Sequence, residues 1–156
     1  MADHFSPDLI WEITRKRSAM LVKRKQAGGV QFSKDPLNLT NIHSRKYEGF
    51  VNDKAIGVQP AANQEKGVTL FTKKSHQANK PASELQTTTF GPSTSSRKTY
   101  RSIVSQTAGR GYRPDLRQSA VARASAIKLS QKDKKANPPV KLRGARAKKA
   151  KDEGKA

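Results

Sequence analysis

The sequence contains no cysteine and few hydrophobic or aromatic residues. The absence of cysteine excludes disulfides, thiolate metal sites and a cysteine nucleophile, and it suggests an intracellular protein. Hydrophobic residues make up 33% and aromatic residues 6% of the chain, below the ~45 to 50% apolar content, glycine included, of an ordinary globular domain. The hydrophobic core is therefore expected to be small, and part of the chain is expected to lack one.

Long hydrophobic runs are also missing. Asp3 and Asp8 interrupt any candidate signal sequence near the N-terminus, and no long apolar run follows them. A membrane span needs about 20 consecutive apolar residues. We therefore expect neither a secretory signal nor a membrane partner.

Motifs for catalysis or metal binding are lacking as well. The chain has no GxGxxG or Walker loop, no HExxH and no GxSxG, and GRGY at residues 109–112 is too short for a nucleotide loop. His4, His43 and His76 are too dispersed to assemble a metal site. His43 lies in a polar stretch and is expected to be a surface or RNA-contacting imidazole. We expect a protein that is not an enzyme, with no cofactor, no metal and no small-molecule substrate.

Acidic residues are scarce, whereas basic residues are abundant. The 156-residue chain has 32 Lys and Arg against 12 Asp and Glu, a formal net charge of +20. Such an excess raises self-repulsion in the compact state unless a dense polyanion neutralises it. Nucleic acid is therefore the leading candidate partner.

Three helices are predicted from capping and periodicity. Ser6-Pro7-Asp8 is typical of a helix start and is followed by the short LIWEITRKR segment. A second helix carries Tyr100, Ile103, Val104 and Thr107 at helical spacing and ends near Gly109. The third begins at Pro114 and presents a narrow apolar stripe. That stripe consists of Leu116, Ala120, Ala124 and Ile127.

Two strand pairs precede the later helices. Residues 20–22 and 30–32 flank Gly28-Gly29 and predict a hairpin with a basic loop, and residues 55–58 and 68–71 predict a second pair. Residues 75–96 are expected to form an extended, exposed crossing segment. We expect the rings of the three aromatic residues Trp11, Phe50 and Phe71 to belong to the core or its rim.

The predicted architecture is one α+β domain, residues 1–130, with a small antiparallel sheet packed with about three helices. Residues 131–156 form a basic tail with ten basic and three acidic residues, which contribute +7 of the net +20. The tail is expected to be intrinsically disordered and to become ordered on RNA.

The candidate RNA contacts are the basic runs and one tyrosine. They are Arg15, Lys16, Arg17, Lys23, Arg24, Arg45, Lys46, Lys73, Lys74, Arg110, Tyr112, Arg113, Arg117, Arg123, Lys128, Lys141, Arg143 and Arg146. A single doublet such as Lys73-Lys74 fits a solvated surface as well as a phosphate contact. Because Arg binds phosphate bidentately, we favour Arg113, Arg117 and Arg123. Tyr112 could stack on an RNA base or pack against the third helix, and Tyr47 has the same two alternatives.

The stretch YRPDLRQSAVARASAIKLSQK, residues 112–132, resembles the signature of the eukaryotic large-subunit ribosomal protein twenty-eight family, the 28e type. Further segments agree in the same order: LIW near the start, NLTNIHSRKYEGF at 38–50, AIGVQPA at 55–61, KGVTLFTKK at 66–74 and KPA at 80–82. The resemblance implies a mixed α/β fold at the ribosome surface, large-subunit ribosomal RNA and neighbouring ribosomal proteins as partners, and no catalytic activity. It also implies a cytoplasmic ribosomal location, with transit through the nucleus and nucleolus during assembly.

Three alternatives remain at this point. A chromatin protein would use the Lys-, Ala- and Pro-rich segment KKANPPVKLRGARAKKAK as a linker-histone-like tail, although the folded region lacks a convincing winged-helix pattern. A related nucleolar ribosome-assembly factor has a similar domain but carries cysteines, which are absent here. An RNA-modifying accessory enzyme would need a catalytic motif or a bound cofactor.

Overall fold

The computed structural model describes residues 5–62, 66–77, 80–137, 141 and 143–154. The helices are α1 Pro7–Thr14, α2 Pro81–Glu84, α3 Ser96–Gln106, α4 Arg117–Ser130 and α5 Ala145–Glu153. The strands are β1 Leu21–Arg24, β2 Val30–Ser33, β3 Ile56–Pro60, β4 Val68–Lys73 and β5 Leu85–Phe90. The predicted α+β fold is confirmed.

The central sheet has three antiparallel strands in the order β3-β4-β5. Val58 pairs with Leu70, and Pro60 pairs with Val68. Directly opposed residues share a face of an antiparallel sheet, so these pairs belong to one face together with Ile56. That face is the buried one, and it carries the strand contribution to the hydrophobic core.

Helices α3 and α4 cover the buried face. Ile103 from α3 and Ala120, Ala124 and Ile127 from α4 belong to the same core cluster as the strand residues. The two alanines are at most 1% exposed, and their small side chains let α4 approach β3 closely. Full burial of an Ile side chain stabilises a fold by about 1.5 to 3 kcal/mol, so this contact is a main source of stability.

The opposite face of the sheet is partly covered by the loop before β3. Gln59 Nε2 donates to the carbonyl oxygen of Pro36 at 3.1 Å. A Cβ atom placed on Gly57 would lie 2.5 Å from that same oxygen and 3.1 Å from Cα of Leu37. The close approach of two backbones therefore requires glycine at this position of β3.

The predicted hairpin is confirmed. Strands β1 and β2 pair with Leu21 opposite Ser33 and Arg24 opposite Val30. The connection is a 3-10 turn that ends at Gly28, which has φ of 69°. Glycine adopts this left-handed conformation without the steric cost that other residues incur.

The start of α1 agrees with its capping signal, because the hydroxyl of Ser6 accepts from the backbone N–H of Leu9 at 3.3 Å. Helix α3, which was predicted from periodicity, is capped by Ser95, whose hydroxyl accepts from the backbone N–H of Lys98 at 3.4 Å. Pro114 opens a 3-10 turn, Pro114–Leu116, immediately before α4. Three of the helices are therefore those expected from the sequence, and α2 and α5 are additional.

The segment expected to cross the surface contains a strand. Residues 85–90 form β5 and pair with β4, with Thr88 opposite Leu70 and Phe90 opposite Val68. Much of β5 remains exposed, as expected, but its backbone completes the sheet and Phe90 packs against the core. The β-branched Thr87, Thr88 and Thr89 suit a pleated, half-buried surface.

The aromatic residues differ from the expected core. Phe50 is 69% exposed, so its assignment to the core is wrong. Trp11 and Phe71 are half-buried, and the Trp11 ring lies against His43 with centroids 4.9 Å apart. Large apolar side chains are exposed throughout the region before β3: Phe5, Leu9, Ile13, Met20, Val30, Phe32, Ile42 and Phe50.

The segment after α4 begins with contacts to the sheet. Gln131 accepts from the backbone N–H of Gly67 and donates to its carbonyl oxygen, at 2.9 and 2.8 Å. Lys66 and Asp133 form an exposed ion pair at 2.9 Å. Further along, α5 forms within the basic tail. Within the described ranges, no helix has both the length and the apolar character of a membrane span.

Candidate nucleic-acid interface

An amino-terminal basic cluster, defined as Arg15, Lys16, Arg17, Lys23 and Arg24, joins the end of α1 to β1. All five residues are exposed. Lys23 Nζ lies 3.4 Å from the carbonyl oxygen of Lys16, which brings the two basic runs together. Arg15 pairs with Glu12 at 3.1 Å, whereas Lys16, Arg17 and Arg24 form no ion pair with other described residues. These three cations are open to an external anion.

A second group of cations surrounds the loop at residues 45–54. Arg45 Nε lies 3.1 Å from Asp8 Oδ1, and its Nη1 donates to Asn52. Lys46 is exposed and its ammonium lies 5.6 Å from the centre of the Tyr47 ring. The Tyr47 ring packs against the core, and its hydroxyl lies 3.4 Å from Ser119. Of the two alternatives for Tyr47, the geometry therefore favours packing against the fold over stacking on an RNA base.

Arg113 is held on several sides. Its Nε and Nη2 donate to the two carboxylate oxygens of Asp115, both at 2.9 Å, and it also donates to the carbonyl oxygens of Lys54 and Lys46. The Arg113 hydrogen bonds and charge, against some desolvation, lower the pKa of Asp115. Arg113 has φ of 46°, and these contacts hold it in that sparsely populated conformation.

Tyr112 packs within the fold. Its ring lies against the core cluster, and its hydroxyl accepts from the backbone N–H of Ala55 at 3.1 Å. The hydroxyl also donates toward the carbonyl oxygen of Lys73 at 2.5 Å. Burial raises the pKa of Tyr112. Of the two alternatives for Tyr112, the geometry favours packing over base stacking.

Lys73 is buried, and its ammonium contacts groups within the fold. It is 9% exposed, and its ammonium donates to the carbonyl oxygens of Gly49 and Phe50 at 3.2 and 3.3 Å. The same ammonium pairs with Glu84 at 3.2 Å. Lys74, which follows it, is exposed. The pair expected as a basic doublet therefore splits into a structural lysine and a surface lysine, because the fold brings partners to Lys73, the last residue of β4, whereas Lys74 lies beyond the strand.

The cations near α4 also differ from one another. Arg110 and Arg117 are exposed and form no ion pair with other described residues. Arg123 is half-buried, and its Nε atom is buried without a hydrogen-bond partner in the described structure. Lys128 is half-buried and donates to the carbonyl oxygen of Thr94. Arg110 and Arg117 are thus the residues of this group that face solvent fully.

Two further exposed arginines, Arg97 and Arg101, are not among the contacts predicted from the sequence. Arg97 and Arg101 lie four residues apart on α3, and both are exposed. The RKTYR segment carried the signal, because residues at i and i+4 occupy the same side of a helix. Arg101 lies on the same surface as Arg117, so the exposed cations continue from α4 onto α3.

A groove of about 1120 Å³ lies between α3 and α4, and we call it the α3–α4 groove. Its apolar lining includes Tyr100, Val104, Val121 and Ala122. The remaining lining residues are Arg101, Ser105, Pro114, Asp115, Arg117, Gln118 and Ser125.

The side chain of His43 is buried, so the expectation of a surface or RNA-contacting imidazole is wrong. Its side chain is 6% exposed, its Nδ1 lies 3.6 Å from Glu48 Oε2, and its Nε2 lies 2.7 Å from the carbonyl oxygen of Arg15. Burial and the nearby Asp35 raise the pKa of Glu48, although His43 opposes that effect. His43 therefore connects α1 to the loop carrying Glu48.

The tail cations are described only in part. Lys141 and Arg143 are exposed. Arg146 belongs to α5, but its side chain lies outside the described residues. Among the residues that the structure describes, no group of three or more His, Asp or Glu side chains could hold a metal ion.

Comparison with known proteins decides the family. The model of the Ribosomal L28e protein family matches residues 9–130. The chain belongs to this family. The L28e match covers most of α1, all five strands and helices α2 to α4, and the resemblance drawn from the sequence is confirmed.

Curated L28e relatives come from several eukaryotic lineages. Large ribosomal subunit protein eL28 of Schizosaccharomyces pombe is 45% identical over 131 residues, which cover 83% of this chain and 96% of the relative. The protein of the same name from Dictyostelium discoideum is 34% identical over 130 residues, 83% of this chain and 92% of the relative. The protein of the same name from Caenorhabditis elegans is 40% identical over 86 residues, which cover 54% of this chain and 63% of the relative.

Proposed function

We propose that this L28e-family protein is a structural constituent of the cytosolic large ribosomal subunit and stabilises folded ribosomal RNA through phosphate-backbone contacts. The observation that carries the proposal is the family match over residues 9–130. Relatives that this chain matches over 83% of its length are named large ribosomal subunit proteins. A catalytic role has no support, and we propose none.

The distribution of charge supports phosphate contact. Residues 1–130 carry +13 of the net +20. The acids Asp8, Glu12, Glu84 and Asp115 already pair with basic residues inside the fold. An external polyanion is therefore needed to neutralise the remaining cations, and the phosphates of RNA supply that charge at high density.

The contacts proposed first are six of the exposed cations that form no ion pair with another described residue. They are Lys16, Arg17, Arg24, Lys74, Arg110 and Arg117. Arg can hold two phosphate oxygens at once, whereas Lys acts as a mobile point charge. Recognition of backbone and shape is expected to dominate over recognition of base sequence.

The basic tail at residues 131–156 is proposed as a second RNA contact. Its ten basic residues include Lys141 and Arg143, which are exposed. A segment with so few large apolar residues cannot form its own core, so phosphates would supply the free energy that orders it.

Neighbouring ribosomal proteins are the second class of partner. The exposed apolar residues before β3, such as Leu9, Ile13 and Phe50, offer surface of a kind that RNA backbone does not match. We therefore propose that protein neighbours contact this region.

We also propose that the protein passes through the nucleus and nucleolus before it reaches cytoplasmic ribosomes.

A sucrose gradient of tagged protein from cells tests the proposal. In ~0.5 M salt, loosely held cations are displaced from nucleic acid by counterion competition. We expect the protein to sediment with free large subunits, monosomes and polysomes. Release to the top fractions would contradict stable incorporation. Restriction to precursor particles would indicate an assembly factor, and recovery in nuclease-released chromatin would favour the chromatin alternative.

A further inference from the structure

We propose that the α3–α4 groove holds an unpaired nucleotide of RNA, with its base against the apolar walls and its phosphates at Arg101 and Arg117. The inference rests on the proposed function, because it assigns a nucleotide site within the basic surface. It goes further by predicting contact with a base in addition to the phosphate backbone.

The groove has the size and walls that a base requires. Its volume of about 1120 Å³ is slightly above the roughly 300 to 1,000 Å³ typical of small-molecule sites, so a base has room to enter. Tyr100, Val104 and Val121 are half-buried, and Ala122 is exposed on α4. The deep residues of the two helices, such as Ile103 and Ala120, are buried in the core. The groove is therefore an open apolar surface supported by packed helices.

The charge in the groove selects an anion. Arg101 and Arg117 are exposed and form no ion pair within the described part of the chain. Asp115 is the acidic lining residue, and both of its oxygens already accept from Arg113 at 2.9 Å. The two lining arginines therefore remain uncompensated. A ligand that combines an apolar flat portion with negative charge on its flanks matches this arrangement.

The polar lining suits the edge of a base. Ser105, Gln118 and Ser125 line the groove, and no hydrogen bond of their side chains is found among the described residues. Hydroxyl and amide groups can both donate and accept, as can the edges of unpaired bases. Since every base has a π-face, stacking against the apolar wall would tolerate different sequences.

Filling the groove without changing charge provides the test. Ala122→Leu adds a side chain within the groove, and Ala126→Leu makes the same change at an exposed position of α4 that does not line it. Ala and Leu are both strong helix formers, so both variants should fold, as circular dichroism would verify. The probes are a short single-stranded oligoribonucleotide and an abasic strand with the same number of phosphates, bound to the full chain.

We expect the wild type to bind the base-bearing strand about tenfold more tightly than the abasic strand. Ala122→Leu should remove this preference while leaving affinity for the abasic strand unchanged, and Ala126→Leu should keep it. Arg101→Gln should weaken binding of both strands, because it removes a phosphate contact and leaves the wall intact.

Three outcomes would overturn the inference in distinguishable ways. Equal, tight binding of both strands by the wild type would remove the nucleotide site and leave the proposed phosphate contacts standing. Failure to bind either strand would count against the proposed function itself. Tight binding of a peptide of glutamate and leucine that Ala122→Leu abolishes, with no RNA preference, would make the groove a protein-docking site.

Discussion

The hydroxyl oxygen of Tyr112 lies 3.1 Å from the backbone nitrogen and 3.1 Å from the carbonyl oxygen of Ala55, the residue that precedes β3. The same hydroxyl reaches the carbonyl oxygen of Lys73 at the end of β4. One side chain from the connection between α3 and α4 therefore ties the ends of two neighbouring strands. The helices are fastened to the sheet by hydrogen bonds as well as by apolar packing.

Tyr112→Phe should destabilise the protein. The substitution keeps the ring but leaves the N–H of the buried residue Ala55 without its partner, a loss of about 1 to 3 kcal/mol. Urea unfolding of the variant and the wild type would measure the difference. Tyr100→Phe is the matched control, because no hydrogen bond of the Tyr100 hydroxyl is found among the described residues. Equal stability of the two variants would rule out a structural role for the Tyr112 hydroxyl.

Gly57→Ala should be more damaging than an alanine at Gly109. At Gly57 the new Cβ would meet the Pro36 carbonyl oxygen at 2.5 Å, whereas at Gly109 it would meet the Val104 carbonyl oxygen at 3.3 Å. The first contact requires the backbone of the loop or of β3 to move, and overpacking of this kind costs about 1 to 3 kcal/mol. Thermal unfolding of both variants would rank them. The reverse order would contradict the close approach.

Glu48→Gln should alter the dependence of stability on pH. Burial first, and Asp35 second, raise the pKa of Glu48 above its ordinary value of 4.5. A proton is thus held more tightly in the folded state, so the contribution of Glu48 is favourable below 4.5 and is lost as pH rises through the raised pKa. The free energy of unfolding, measured across this pH range, should therefore fall less steeply with rising pH in Glu48→Gln than in the wild type. Glu12→Gln is the exposed control, and an identical slope in all three proteins would contradict the assignment.

Arg117→Gln and Arg123→Gln should separate RNA binding from folding. Arg117 is exposed, so its loss should weaken RNA binding and lower the slope of log K against log salt by about 1, with little change in stability. Arg123 is half-buried with a buried Nε atom, so its substitution should change the free energy of unfolding. Binding to large-subunit ribosomal RNA over a salt series, with urea unfolding alongside, would check both. An unchanged salt slope for Arg117→Gln would remove it from the contacts.

Elements with strong local signals were predicted well from the sequence. The Ala120, Ala124 and Ile127 stripe of α4 and the Gly28 turn of the first hairpin depend on neighbours close in sequence. The LQTTTF sequence of β5 predicts only an extended segment, because it has little hydrophobic alternation. Its identity as a strand comes from pairing with β4, which is a tertiary contact.

The roles of individual site residues were harder to predict, because partners distant in sequence determine them. In the sequence, Lys73 belongs to a basic doublet with Lys74. In the fold, its ammonium contacts Glu84 and the carbonyl oxygen of Gly49. The polar sequence around His43 predicts an exposed side chain, but the fold encloses that side chain between Trp11 and Glu48. A charge count measures the surplus of cations correctly, yet only the folded chain distinguishes the cations that are already paired.

The crowding of exposed apolar side chains into the region before β3, including Phe5, Leu9, Ile13 and Phe50, sets the colloidal behaviour of the free protein. Copies of a +20 chain repel one another, and this repulsion keeps the apolar patches apart in dilute buffer. Added salt screens the repulsion but leaves the patches uncovered, so solubility should pass through a minimum as salt rises. If RNA binds as proposed, it cancels the charge and also brings the protein to a surface where other proteins can cover those patches. An order in which RNA binds first and protein neighbours second is then the one that avoids precipitation.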